Sequence, residues 1–121
     1  MYRLRTFLIL CAGILWMPAN ALAHAHLDRS SPAAGSTVPQ APTEVMLWFT
    51  EALEAKFSTV EVRDAKGTAM QAGPATGVSG NTAQLRVPLK PLPPGTYTVK
   101  WRVLSVDTHR SRGDFTFRVA P

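Results

Sequence analysis

Thr96-Tyr97-Thr98-Val99-Lys100-Trp101-Arg102-Val103-Leu104-Ser105 decides the fold. Tyr97, Val99, Trp101 and Val103 fall on one parity, and Thr98, Lys100 and Arg102 fall on the other. A period of two is that of a strand with one face buried and one in water. The next apolar alternation, Phe115, Phe117 and Val119, repeats the pattern at the end of the chain over residues 114–119.

Upstream of this stretch the same period returns. Residues 44–50 place Val45, Leu47 and Phe49 on one face, with Met46 and Trp48 between them, so both faces of that strand are expected to be covered. Residues 57–63 alternate through Ser58, Val60 and Val62. Residues 84–89 form a further short strand, and a first strand is expected near residues 25–30. Asp64-Ala65-Lys66-Gly67 reads as a hairpin with glycine at the left-handed position. Residues 31–36, 39–42 and 91–95 are turn-rich connections, residues 51–56 form one helical turn, and the Gly-rich segment 71–81 reads as a long loop. No segment sustains an apolar period of 3.6. About seven short strands, each with one face to bury, predict an all-β, immunoglobulin-like Greek-key sandwich with Trp101 and Phe117 in its core. No cysteine pair supports a true immunoglobulin domain.

The N-terminus reads as a leader. Arg3 and Arg5 precede an uncharged apolar run from Phe7 to Trp16. Pro18 and Asn20 break it, and Ala21 and Ala23 supply the small residues of a cleavage site before His24. The run is shorter than the roughly 20 residues of a membrane span. Cys11 lies inside it with no small residue just before, which argues against a lipoprotein site. Residues 1–23 are therefore expected to be a cleaved signal peptide, with no stable membrane insertion afterwards, and residues 24–121 one small domain. The only cysteine leaves with the leader, so the domain holds together without disulfides and offers no thiolate. Its 11 basic and 8 acidic side chains are scattered, and no nucleic-acid patch is seen. Arg110, Arg112 and Arg118 read as a solvated strand face.

Cleavage after Ala23 makes His24 a terminal residue with two donor nitrogens, the α-amine and the imidazole. The other histidines are His26 and His109, the latter in Asp107-Thr108-His109. Residues two apart on an extended segment share a side. If the first strand runs beside the connection after Ser105, the His24 amine, the His24 and His109 imidazoles and an Asp107 oxygen can converge. Three nitrogens and a carboxylate in a tetragonal array suit Cu(II) among the common divalent ions. A competing mode uses the free amine, deprotonated backbone amides and His26, and needs only a flexible tail. His26 could also serve as an outer donor or an additional ligand. The bland alternatives are solvated histidines and an ordinary turn at Asp107. No G-x-S-x-G motif points to nucleophilic catalysis.

At these residues the chain resembles the CopC-type periplasmic copper-binding proteins. The resemblance runs through His24-Ala25-His26-Leu27, Ser31-Pro32-Ala33-Ala34-Gly35-Ser36 and Leu47-Trp48-Phe49-Thr50-Glu51. It continues in Pro94-Gly95-Thr96-Tyr97, Ser105-Val106-Asp107-Thr108-His109 and Gly113-Asp114-Phe115-Thr116-Phe117. It implies a β-sandwich that holds Cu(II) through His24, Asp107 and His109. His26 matches a histidine that only part of the family carries. Some members have a second, Met-rich Cu(I) site. The processed chain keeps only Met46 and Met70, so that site is expected to be missing. The resemblance further implies a stand-alone periplasmic carrier or buffer of copper, with a membrane copper transporter as partner and no catalysis. Two other functions stand beside it. One is a copper-dependent oxidase built on an N-terminal histidine brace, and the other is a metal-free structural sandwich module.

Overall fold

A computed structural model describes residues 25–121, so the leader, its cleavage site and His24 lie outside the described residues. Eight strands follow in chain order: β1 (Leu27–Ser31), β2 (Thr37–Val38), β3 (Glu44–Phe49), β4 (Thr59–Arg63), β5 (Thr76–Val78), β6 (Asn81–Pro88), β7 (Gly95–Leu104) and β8 (Arg110–Val119). They form two four-stranded sheets, ordered β1-β3-β6-β5 and β2-β8-β7-β4. All pairings are antiparallel except β2 with β8, which is parallel. That order is the immunoglobulin arrangement of two sheets, with β2 added beside the last strand.

The expected alternation in β7 holds. Tyr97, Val99, Trp101 and Val103 are buried, and β8 answers with buried Phe115, Phe117 and Val119. The two strands pair without a break from Gly95↔Val119 to Leu104↔Arg110. Val45, Leu47 and Phe49 of β3 and Leu85 and Val87 of β6 supply the facing layer. Trp101 meets Phe49 edge-on across the sheets, with ring centres 5.2 Å apart at 77°, a favoured aromatic geometry. Tyr97 stacks on Phe117 and donates its hydroxyl to the Pro93 carbonyl four residues back. This ties down the corner where the chain crosses between sheets. Outside the core, Trp48 is covered by the Arg29 guanidinium, 4.2 Å from its ring centre.

Four expectations change. Residues 71–81 are not one loop, because Thr76–Val78 adds β5 to the edge of β6. The strand expected at residues 84–89 starts earlier, at Asn81. The helical turn expected at residues 51–56 is a 3₁₀ turn at Ala55–Phe57, and Phe57 leaves the strand for that exposed turn. The Thr37–Val38 strand has no apolar signal; backbone bonds make it, Arg118 N–H to Ser36 (2.9 Å) and Ala120 N–H to Val38 (2.9 Å). Among the described residues no helix is long and apolar enough to cross a membrane.

Candidate metal centre

The strand period carries past Val103 to Ser105, which is fully buried at the inward parity of β7. A serine there needs polar partners, because an unpaired buried hydroxyl is costly. It finds them in the loop it begins. Its hydroxyl donates to the Asp107 carboxylate and accepts from the His109 N–H at 3.3 Å. Backbone bonds close the loop, Thr108 N–H to the Ser105 carbonyl (2.9 Å) and Ser105 N–H to the His109 carbonyl (2.9 Å). Thr108 takes a φ of 72°, the left-handed region that a β-branched residue rarely enters. Such strain persists where the surroundings over-determine it, and here the closure turns Asp107 and His109 toward each other.

Asp107 Oδ1 lies 3.3 Å from His109 Nδ1, and both side chains reach solvent, 38% and 52% exposed. Bonds of about 2 Å to one tetragonal ion place neighbouring donor atoms about 2.8 Å apart, so at 3.3 Å this pair is about half an ångström wider than one edge of such a site. The Ser105 hydroxyl, and after it the His109 side chain, hold the Asp107 carboxyl below the usual carboxylate range. Asp107 is therefore ionised, and ready to ligate, throughout the neutral range.

Ala25 and His26, the first described residues, are brought to the same end of the sandwich by separate contacts. Ala25 is buried, and its carbonyl accepts from the Ser111 hydroxyl at 2.6 Å. His26 donates its N–H to Thr50 Oγ1 (2.9 Å), and its carbonyl accepts from the Thr50 N–H (2.9 Å). The segment that follows Thr50 also braces the 105–109 loop, since Leu53 bridges to Ser105 and Val106 donates to the Ala52 carbonyl at 3.1 Å. Ala25 directly follows His24, and Ser111 stands two residues after His109. His26 is exposed, and among the described residues no three His, Cys, Asp or Glu side chains come together. Of the residues singled out by sequence, Asp107 and His109 are thus brought together, His26 does not join them, and His24 lies outside the described residues. Sequence reasoning missed Ser105, Ser111 and Thr50. Only Ser105 carried a signal, a hydroxyl at an inward position of the most apolar strand.

Comparison with known proteins agrees with this architecture. The model of the CopC domain matches residues 27–120. Protein YobA of Escherichia coli is 43% identical over 98 residues, 80% of this chain and 79% of that protein. Copper resistance protein C of Pseudomonas syringae pv. tomato is 36% identical over 120 residues, 94% of each chain. The crystal structure of CopC from Methylosinus trichosporium OB3b superposes with a TM-score of 0.76 at 33% identity, covering 81% of this chain and 95% of that one. The chain belongs to the CopC copper-resistance protein family, a family of copper-binding proteins and not of enzymes.

Proposed function

We propose that the processed protein is a periplasmic Cu(II) carrier or buffer, and that it holds the ion through the His24 amine and imidazole, the His109 imidazole and an Asp107 oxygen. Cleavage after Ala23 creates the amine ligand, so the site is completed only on export. The observation that carries this reading is the tether between Ala25 and Ser111, 2.6 Å long. It holds the residue next to His24 close to the strand that begins just after His109. Consecutive Cα atoms are about 3.8 Å apart, which supports His24 as the residue that completes the Asp107–His109 edge. A chelating terminal residue and a loop pair from distant sequence then form one set of three nitrogens and a carboxylate, which suits Cu(II).

The flexible-tail mode fits these contacts less well. It requires the backbone amides of Ala25 and His26 as deprotonated ligands. The His26 N–H is already given to Thr50 Oγ1, and Ala25 is buried. The test compares two variants and a peptide. His109→Ala weakens Cu(II) binding far more than His26→Ala, and a peptide of residues 24–30 does not reproduce the electron-paramagnetic-resonance spectrum of the whole domain. If the peptide does reproduce it, the tail mode replaces this one. Delivery to a membrane copper transporter is the role that fits a small exported carrier.

A further inference from the structure

The outer face of the second sheet carries charges in rows set by strand register. In the middle row, Lys100 pairs in register with Glu61 of β4 on one side and Asp114 of β8 on the other. In that row the one cation stands between two carboxylates, so opposite charges face each other. The row nearer the 105–109 loop is different: Arg102 faces Arg112 directly, with Thr59 beyond it, and Arg110 stands at the start of β8, nearer still to the loop. All three arginines are exposed, and among the described residues none forms an ion pair. Like charges directly opposite on paired strands destabilise a sheet, so nothing in the fold itself explains this row.

A groove of about 330 Å³ runs between these arginines and the 3₁₀ turn, lined by Phe57, Arg102, Val103, Arg110, Ser111 and Arg112. Phe57 is 64% exposed and Val106, beside Asp107, is 55% exposed; they are the large exposed apolar side chains among the described residues. Both stand at the end of the sandwich that carries the Asp107–His109 pair. Arg102 and Arg112 are two strand positions from that end, about 7 Å along the sheet.

We propose that this groove is a docking surface for an acidic segment of a partner protein. Guanidinium groups bind carboxylates through paired hydrogen bonds, so carboxylates placed over the Arg102–Arg112 row would relieve the like-charge contact. Arginine and exposed aromatic side chains are what protein interfaces collect, whereas a simple solubilising face is built of lysine and glutamate. The partner would thereby be placed at the edge of the metal centre. That last role, in copper exchange, rests on the function proposed above; the docking surface itself does not need the metal.

The test uses the processed, metal-free protein and a blocked octaglutamate peptide, followed by amide chemical shifts at low salt. Shifts are expected at Phe57, Arg102, Arg110 and Arg112. The double variant Arg102→Gln/Arg112→Gln is expected to weaken binding about tenfold. Lys66→Gln/Arg118→Gln, which removes two exposed charges far from the loop, leaves it unchanged. Absence of binding, equal loss in both double variants, or shifts spread over every cationic side chain would overturn the proposal. So would the same shifts with inorganic phosphate at equal concentration, or preferential capture by vesicles containing phosphatidylglycerol. Because copper is left out, failure here is separate from failure of the Cu(II) reading.

Discussion

Ser111→Ala removes the hydroxyl that ties Ala25 to β8 and leaves every proposed ligand in place. Ala25 and His26 are the first described residues of the chain. Among the described residues, hydrogen bonds run to them from Ser111 to Ala25 and both ways between His26 and Thr50. At about 1 kcal/mol each, plus about 0.8 kcal/mol for the buried Ala25 methyl, the gain is about 4 kcal/mol. Fixing two residues of backbone costs about 2–4 kcal/mol. Docking is therefore near balance, and losing one bond worth about 0.5–1.5 kcal/mol passes almost fully into the docked population. If the His24 amine is a ligand, the Cu(II) dissociation constant rises about two- to tenfold. Thr50→Val, which removes the acceptor for the His26 N–H, acts in the same direction, and the double variant is weaker than either single one. The assay is competition with a Cu(II) chelator on correctly processed protein, with thermal unfolding to show that the sandwich is intact. Faster exchange of the His26 amide at unchanged copper affinity in the double variant would refute the reasoning, because the chain end would then be undocked without consequence.

Two further outcomes follow from packing and protonation. Gly113 lies against Trp101, where an added Cβ would stand 2.4 Å from ring atom Cζ2; Gly113→Ala is expected to destabilise the domain by about 1–3 kcal/mol in a urea titration, and an unchanged midpoint would contradict that contact. If the His24 amine is a ligand, copper affinity rises with pH through the range of an α-amine, about 7.7–8.0, because protons compete with copper for that nitrogen. Asp107 does not contribute to that slope, because the Ser105 hydroxyl and then His109 hold its carboxyl below the ordinary value. A carboxyl depressed by folding stabilises the fold above its unfolded pKa, near 3.9, and loses that contribution only as the pH drops through the lower folded value. Asp107→Asn thus lowers copper affinity and leaves the slope between pH 5 and 8 in place, whereas a slope abolished by Asp107→Asn would mean that the carboxylate titrates there.

What the sequence made legible was whatever burial dictates. Tyr97, Val99, Trp101 and Val103 alternate because one face of β7 is sealed against β3 and β6, and the same physics exposed β3, β4 and the end of β8. The start of β8, Arg110-Ser111-Arg112-Gly113, has no large apolar side chain, since Gly113 makes room for the Trp101 ring. Its strand character comes from pairing with β7 alone. Thr37–Val38 and Thr76–Val78 were silent for a related reason: short edge strands are made by backbone bonds, which any sequence can form. At the site, Asp107 and His109 were legible as chemistry, because their residue types and two-residue spacing suit a metal. Ser111 and Thr50 were not, because hydroxyls that accept or donate to a backbone group 86 or 24 positions away leave no local pattern.

The central claim is that the amine exposed by processing is a copper ligand. It is tested most directly by comparing Cu(II) affinity of the protein beginning at His24 with that of the protein carrying one extra alanine before it. Both versions keep His24, His26, Asp107 and His109, and only the free amine is moved. The account predicts a weakening larger than the roughly 10–100-fold that loss of a supporting outer contact costs a metal site, with one nitrogen fewer in the resonance spectrum. Equal affinity and an unchanged spectrum for the two versions would contradict it.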